Sequence, residues 1–158
     1  MNGNPQILYR QATAFHQKGQ LAEAEQLYQQ LVAALPLSPE PRHMLGILRM
    51  QQGRNSEARE LLGAAVRINP RNPEMLGNYA NALGALGRFD EALAAIDQAL
   101  AVNPDFIGAM YNRALLLQQL NRFPDALAAY DRLLAREPGF VEALFNRGIL
   151  LLNLKRDS

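Results

Sequence analysis

Cysteine is absent from this 158-residue chain, which removes disulfides, thiolate metal sites and a cysteine nucleophile together. The redox environment is left open, since a chain without thiols tolerates either compartment. Histidine is scarce: His16 and His43 are the only two, 27 residues apart, with no spacing that would build a metal site. Serine occurs only at Ser38, Ser56 and Ser158, in turn, cap or terminal contexts, so no set of nucleophile, base and orienting group can be assembled. Glycines fall singly and form no phosphate-cradling loop. Carboxylates such as Asp90, Glu91 and Asp125 fall in the first turn of a helix, where they complement the macrodipole. The sequence therefore reads as non-enzymatic, with no catalytic residue, no metal and no cofactor.

An excess of one charge and long apolar runs are lacking as well. Sixteen Lys plus Arg stand against 15 Asp plus Glu, a formal charge of +1, so no global field favours nucleic acid or an anionic membrane. The first twenty residues show no cationic segment followed by an apolar run, which argues against a signal peptide. The longest apolar run, "GILLLNL", is far too short to span a bilayer. A soluble, cytoplasmic protein without membrane insertion is the expectation.

What is present is a ruler. Pro36, Pro70, Pro104 and Pro138 are spaced by 34 residues throughout, and Ala24, Ala58, Ala92 and Ala126 keep the same interval. Setting position 1 at Pro5, Pro39, Pro73, Ile107 and Val141 gives four full units, 5–38, 39–72, 73–106 and 107–140, and a half unit, 141–158. In the third unit Leu76, Ala80 and Leu83 have helical spacing, and Phe89, Ala92, Ile96 and Ala99 repeat it. Each unit is thus two amphipathic helices. Gly19, Gly53, Gly87 and Asn121 share the slot between them, which suits a left-handed residue closing the first helix. The recurring proline ends the second.

Several positions agree in phase across the copies: Gly or Ala at 8, aromatic or aliphatic residues at 11 and 24, Ala at 20, Ala or Leu at 27 and Pro at 32. In these the chain resembles the tetratricopeptide repeat family over residues 5–158. The resemblance implies an all-α fold, a right-handed superhelical solenoid of four full repeats plus one terminal helix, forming a single domain. Arg42 and Arg49 depart from the pattern by replacing apolar residues at positions 4 and 11, so the second unit is expected to be the most irregular.

Arginine also interrupts the apolar face at Arg113 and Arg147. Asp97 precedes the first by 16 residues and Asp131 precedes the second by 16. Where position 25 is Gln29 or Gly63, position 7 of the next unit is Leu45 or Tyr79. Asp97 with Arg113, and Asp131 with Arg147, are accordingly expected to pair across adjacent repeats as buried ions that fix register.

First helices of such a solenoid line its concave side. Asn78, Asn112 and Asn146 share position 6 in three consecutive units, and a row of amides can bracket the backbone of an extended peptide. Asn81 adds another amide, Tyr111 and Phe145 supply aromatic area, and Gly77, Gly84 and Ala85 leave space. A comparable asparagine ladder belongs to the repeats of O-linked N-acetylglucosamine transferases, and bacterial relatives of that type precede a glycosyltransferase domain. The resemblance thus implies candidate peptide contacts at Asn78, Asn112 and Asn146. The carboxylate clamp of chaperone-binding members needs lysines or arginines at positions 2, 5 and 6, where the sole one is Arg10 at position 6. That argues against an acidic chaperone tail.

The fifth unit stops where a second helix would begin, with Ile149, Leu151, Leu152 and Leu154 lacking a cover. Three readings follow. The first is a scaffold binding a partner protein or extended peptide in the groove. The others are the substrate-recruiting part of a glycosyltransferase-type enzyme, and a homodimer formed through the open C-terminal end.

Overall fold

The computed structural model describes residues 4–156. Nine helices occupy them: α1 (Pro5–Gln17), α2 (Leu21–Ala34), α3 (Pro39–Gln51), α4 (Asn55–Ile68), α5 (Pro73–Ala85), α6 (Phe89–Val102), α7 (Ile107–Gln119), α8 (Phe123–Arg136) and α9 (Val141–Arg156). Each of the first four first helices has 13 residues and each second helix 14. Consecutive helices pack on one another, and first helices also meet across repeats, α3 with α5 and α5 with α7. The result is an all-α superhelical stack.

The turn inside each unit is set by one residue. Gly19, Gly53 and Gly87 have φ of 74°, 73° and 72°, and Asn121 has φ of 57°. Because the chain reverses there, the next backbone N–H reaches back to the first helix: Gln20 to Phe15, Arg54 to Arg49, Arg88 to Leu83 and Arg122 to Leu117, at 2.8–3.0 Å. These bonds satisfy carbonyls that the helix end would otherwise leave open. At the other boundary Pro39 and Pro73 open their helices, and the Asn72 side chain caps α5 by accepting from the Met75 N–H at 3.0 Å.

Within a unit the helices cross at small residues. Ala12 and Ala24, Ala80 and Ala92, and Ala114 and Ala126 are buried where the paired helices meet. In the second unit the first of the pair is Gly46, where an added Cβ would lie 2.6 Å from Leu62 Cγ. Around the crossings Tyr28, Leu62, Ile96 and Tyr130 fill position 24 and are fully buried. One apolar core runs from Leu76 to Leu150, and a second surrounds Tyr28, Leu31 and Leu48.

The second unit is not the irregular one. Helix α3 keeps the common length and buries Pro41, His43, Leu45, Gly46, Leu48 and Arg49. Arg42 donates to the Ser38 carbonyl at 3.3 Å, closing the turn before its own helix. Arg49 is accommodated because Glu25, on α2 of the preceding unit, meets its Nη1 at 2.6 Å. Gln52 bridges the pair, accepting from Arg49 at 3.0 Å and donating to Glu25 at 2.9 Å.

Candidate functional site

The repeat spacing carries the first helices side by side, and a chain of side-chain hydrogen bonds stitches them. His16 Nε2 lies 2.8 Å from Gln51 Oε1. Asn78 Nδ2 lies 2.9 Å from His43 Nε2. Asn112 Nδ2 donates to Asn81 Oδ1 at 2.8 Å, and Asn146 Nδ2 donates to the Tyr111 hydroxyl at 2.9 Å. All three position-6 asparagines are therefore brought into one row, each tied to the unit before it.

The partner chosen follows from position 5 of that preceding unit. It is His43 before Asn78 and Tyr111 before Asn146, and both carry a polar acceptor. Before Asn112 it is Gly77, which has no side chain, so the amide turns one helical turn onward to Asn81. This rule was legible in the residues but was missed by treating the row as free amides. The amides are partly committed to the protein itself.

The same contacts bear on which ring nitrogen donates and which accepts. An amide N–H can donate only to an unprotonated ring nitrogen, so the His43 Nε2 facing Asn78 carries no proton. Burial lowers the His43 pKa from its ordinary value, against the opposing pull of Glu74 and Glu40. His16 has the opposite arrangement: its Nε2 donates to Gln51, and Nδ1 lies 3.5 Å from the Tyr28 hydroxyl. The Tyr130 hydroxyl donates to Gln118 at 3.1 Å. Its pKa is pushed up to about 12, first by burial and then by Tyr111, so it remains a donor.

The row lies between two apolar ends. Near the N-terminus a hollow of about 520 Å³ is lined by Tyr9, Leu31, Leu35 and Pro41, with Arg10 and Glu40 at its rim. Mid-row, Asn81, Gly84, Asn112 and Leu115 bound a smaller hollow of about 160 Å³. A Cβ at either Gly84 or Gly77 would meet only ordinary contacts, Leu116 Cδ2 at 3.8 Å and Phe106 Cε1 at 3.6 Å. On α9, Phe145, Ile149 and Leu152 follow one another at helical spacing and are exposed, Phe145 by 66% and Leu152 by 64%. Leu151 is half-buried, and Leu154 packs with the core that contains Leu150. The four candidate interface residues thus divide between an exposed stripe and packed positions.

Both arginine pairs are formed. Arg113 Nε donates to Asp97 Oδ1, and Arg147 Nε to Asp131 Oδ1, each at 2.7 Å. They are not buried: the side chains are 29% and 50% exposed in the first pair and 36% and 57% in the second. The long arginine side chains lean from position 7 toward water, whereas Leu45 at the same position of the second unit is buried. At the preceding junction the same slot is filled by Tyr79, whose ring lies 3.1 Å from where a Cβ on Gly63 would be.

Two tetratricopeptide repeat models match the chain, one over residues 49–116 and the other over 2–39 and 111–158. The chain belongs to the tetratricopeptide repeat family. No curated protein matches it significantly, but many solved structures do. A MamA protein is 23% identical, with 92% of this chain and 80% of that one covered and a TM-score of 0.86. YrrB, described as a tetratricopeptide repeat protein with an unusual peptide-binding site, is 17% identical over 94% of this chain and 76% of its own, TM-score 0.81. The first repeat domain of Spaghetti (RPAP3), bound to the HSP90 peptide SRMEEVD, is 24% identical over 75% of this chain and 94% of its own, TM-score 0.72. At these identities the likeness establishes the fold of this tetratricopeptide array. Among its described residues no helix is long and apolar enough to cross a membrane, and no group of three or more metal-binding side chains occurs.

Proposed function

We propose that this tetratricopeptide array is a non-catalytic scaffold that holds an extended segment of a partner protein along its first helices. The observation that carries this reading is the asparagine row running between two apolar ends. With Nδ2 committed to a neighbouring repeat, each asparagine offers a peptide its carbonyl oxygen, an acceptor for backbone N–H groups. A fixed amide also loses less freedom on binding than a mobile one. Phe145 and Leu152 then contribute apolar contact, and Tyr9 with its hollow does so at the far end. Two structural neighbours, YrrB and the RPAP3 domain, are peptide-binding proteins by description, which supports the class of function. The ligand chemistry differs from the RPAP3 case: position 2 here carries Glu40, Glu74 and Glu142, so an acidic segment meets repulsion and a basic one does not.

The test is a selection of random displayed peptides on the chain, followed by fluorescence anisotropy on two variants. Phe145→Glu with Leu152→Glu changes exposed residues and leaves the fold intact; Asn81→Ala with Asn112→Ala opens the middle of the row. Each is expected to weaken the selected peptides by about tenfold or more. Peptides that bind both variants as they bind the parent would discard the trough.

One further observation favours a second reading. Val141, Leu144, Phe145 and Leu152 are 49–69% exposed along one helix, an apolar surface suited to a second copy of the chain. Sedimentation velocity of the parent beside Leu144→Glu separates the cases, because a dimer is expected to dissociate in that variant and a monomer to remain unchanged.

A further inference from the structure

Away from the asparagine row, a groove of about 550 Å³ runs between α6 and α8. Its apolar lining comes from Leu100, Ala101, Met110, Ala129 and Ala135, and three guanidinium groups, Arg113, Arg132 and Arg136, stand around it. The preceding junction has an equivalent groove of about 250 Å³, lined by Val66, Leu76, Tyr79, Ala95 and Gln98. The two grooves share five equivalent positions, Val66 with Leu100, Leu76 with Met110, Tyr79 with Arg113, Ala95 with Ala129 and Gln98 with Arg132, while Glu91 lines only the smaller one. Tyr79, Gln98 and Val102 in one repeat become Arg113, Arg132 and Arg136 in the next. Three neutral side chains are replaced by cations at this junction and one cation, Arg67, gives way to Ala101, while the alanine at position 23 is kept as Ala95 and Ala129.

The charges do not cancel. Arg113 pairs with Asp97 at 2.7 Å and Arg136 pairs with Asp105. Arg132 has no ion-pair partner among the described residues, so the groove holds one uncompensated positive charge above an apolar floor. Arg132 is exposed, so its guanidinium is free to meet an acidic ligand at the edge of that floor.

We infer that this groove is a second docking site, taking a peptide segment in which a bulky apolar residue is flanked by carboxylates. The apolar side chain enters between Leu100, Met110 and Ala129, and a carboxylate accepts hydrogen bonds from the Arg132 guanidinium. Arg–carboxylate contacts of this kind are charge-assisted and geometrically selective. A partner of opposite charge preference from that of the trough would therefore engage the second helices, and the two sites could be occupied together.

The experiment titrates the ¹⁵N-labelled full chain with acetyl-Glu-Phe-Asp-amide and, separately, with the neutral acetyl-Gln-Phe-Asn-amide. Saturable amide shifts are expected at Ala101, Ala129 and Arg132 with the acidic peptide, and affinity about tenfold lower for the neutral one. Arg132→Gln with Arg136→Val restores the chemistry of the preceding groove on exposed positions and is expected to weaken the acidic peptide by a similar factor. Ala129→Leu should block the floor, with circular dichroism confirming that the helices persist. Phe145→Glu with Leu152→Glu should leave this binding untouched, which separates its failure from that of the trough. Equal binding of the two peptides, shifts confined to Asn81 and Asn112, or an Arg132→Gln, Arg136→Val variant that binds like the parent would overturn the assignment.

Discussion

Arginine meets carboxylate across repeats at two depths in this molecule. At the first junction the Arg49 side chain is only 6% exposed, with Glu25 at 2.6 Å and Glu57 at 3.4 Å. At the third and fourth junctions Arg113 and Arg147 are 29% and 36% exposed, and their aspartates are half in water. Residue types and bond lengths are nearly the same, yet the energetic roles differ, because solvent screens both members of the outer pairs and at the inner one reaches the carboxylate, 21% exposed, but hardly the guanidinium. Depth decides the cost of losing a partner. The inner network is also incomplete, since Arg49 Nε is buried without a hydrogen bond, which leaves its other nitrogens dependent on Glu25 and Gln52.

The comparison is tested hardest by removing Glu25. Glu25→Ala leaves a buried guanidinium with its nearest carboxylate at 3.4 Å, and breaking such a pair costs about 3–5 kcal/mol. Glu25→Leu with Arg49→Leu removes both charges and is expected to recover most of that loss. Urea unfolding with hydrogen exchange on α3 measures it, since a repeat array can open locally. Equal destabilisation by the single and double variants would erase the distinction between depths. The pair also sets an acid limit: Arg49 and then Gln52 hold the Glu25 carboxyl below its ordinary 4.5. That stability is present above 4.5 and is lost as pH falls through the lower folded value.

A middle case sharpens the comparison, because His43 is buried, like Arg49, but burial there disfavours its charged form. Its folded pKa is depressed below 6.5, so the unfolded chain binds the proton more readily. Stability is therefore whole above 6.5 and declines as pH falls toward the folded value, in a window higher than that of Glu25. Protonation would also forfeit the Asn78 contact, a loss of about 1 kcal/mol. His43→Gln, which keeps an acceptor for Asn78, is expected to flatten the change in melting temperature between about pH 7 and pH 5. A parent and variant that respond alike over that range would remove His43 as the source. Glu40 and Glu74 oppose the effect, so Glu74→Gln should enlarge it.

Much of this architecture could be read from spacing because a repeat makes its own control. In every full unit the first helix ends two residues before the shared Gly or Asn and the second two residues before the recurring proline, so each copy checks the others. The Asp97 and Asp131 pairs were legible for the same reason, as two substitutions moving together in one sequence. Their burial was not, because period tells which positions meet but not how far a long side chain leans toward water. Arg49 was misread as a defect since its partner occurs once. The signal was Glu25 at position 21, where later units have Leu93 and Leu127. The asparagines show the converse limit: their alignment was visible, while the bonds that occupy them depend on whether position 5 of the previous unit is His43, Gly77 or Tyr111.

The smallest effect belongs to the outer pairs. Asp97→Ala leaves Arg113 able to hydrate, so the loss should be about 0.2–1 kcal/mol, far from the Glu25 value, and should shrink further in high salt as screening rises. Asp97→Leu with Arg113→Leu is expected to differ little from the single change, in contrast to the rescue anticipated at the inner pair. The slot is filled by Leu45 beside Gln29, by Tyr79 over Gly63 and by arginine beside aspartate. Leu45 is buried at this slot, whereas Arg113 and Arg147 stand partly in water, where hydration offsets the loss of a partner. Urea unfolding of these variants at low and high salt measures both quantities, and a salt-independent loss as large as that of Glu25→Ala would place Arg113 with Arg49 after all.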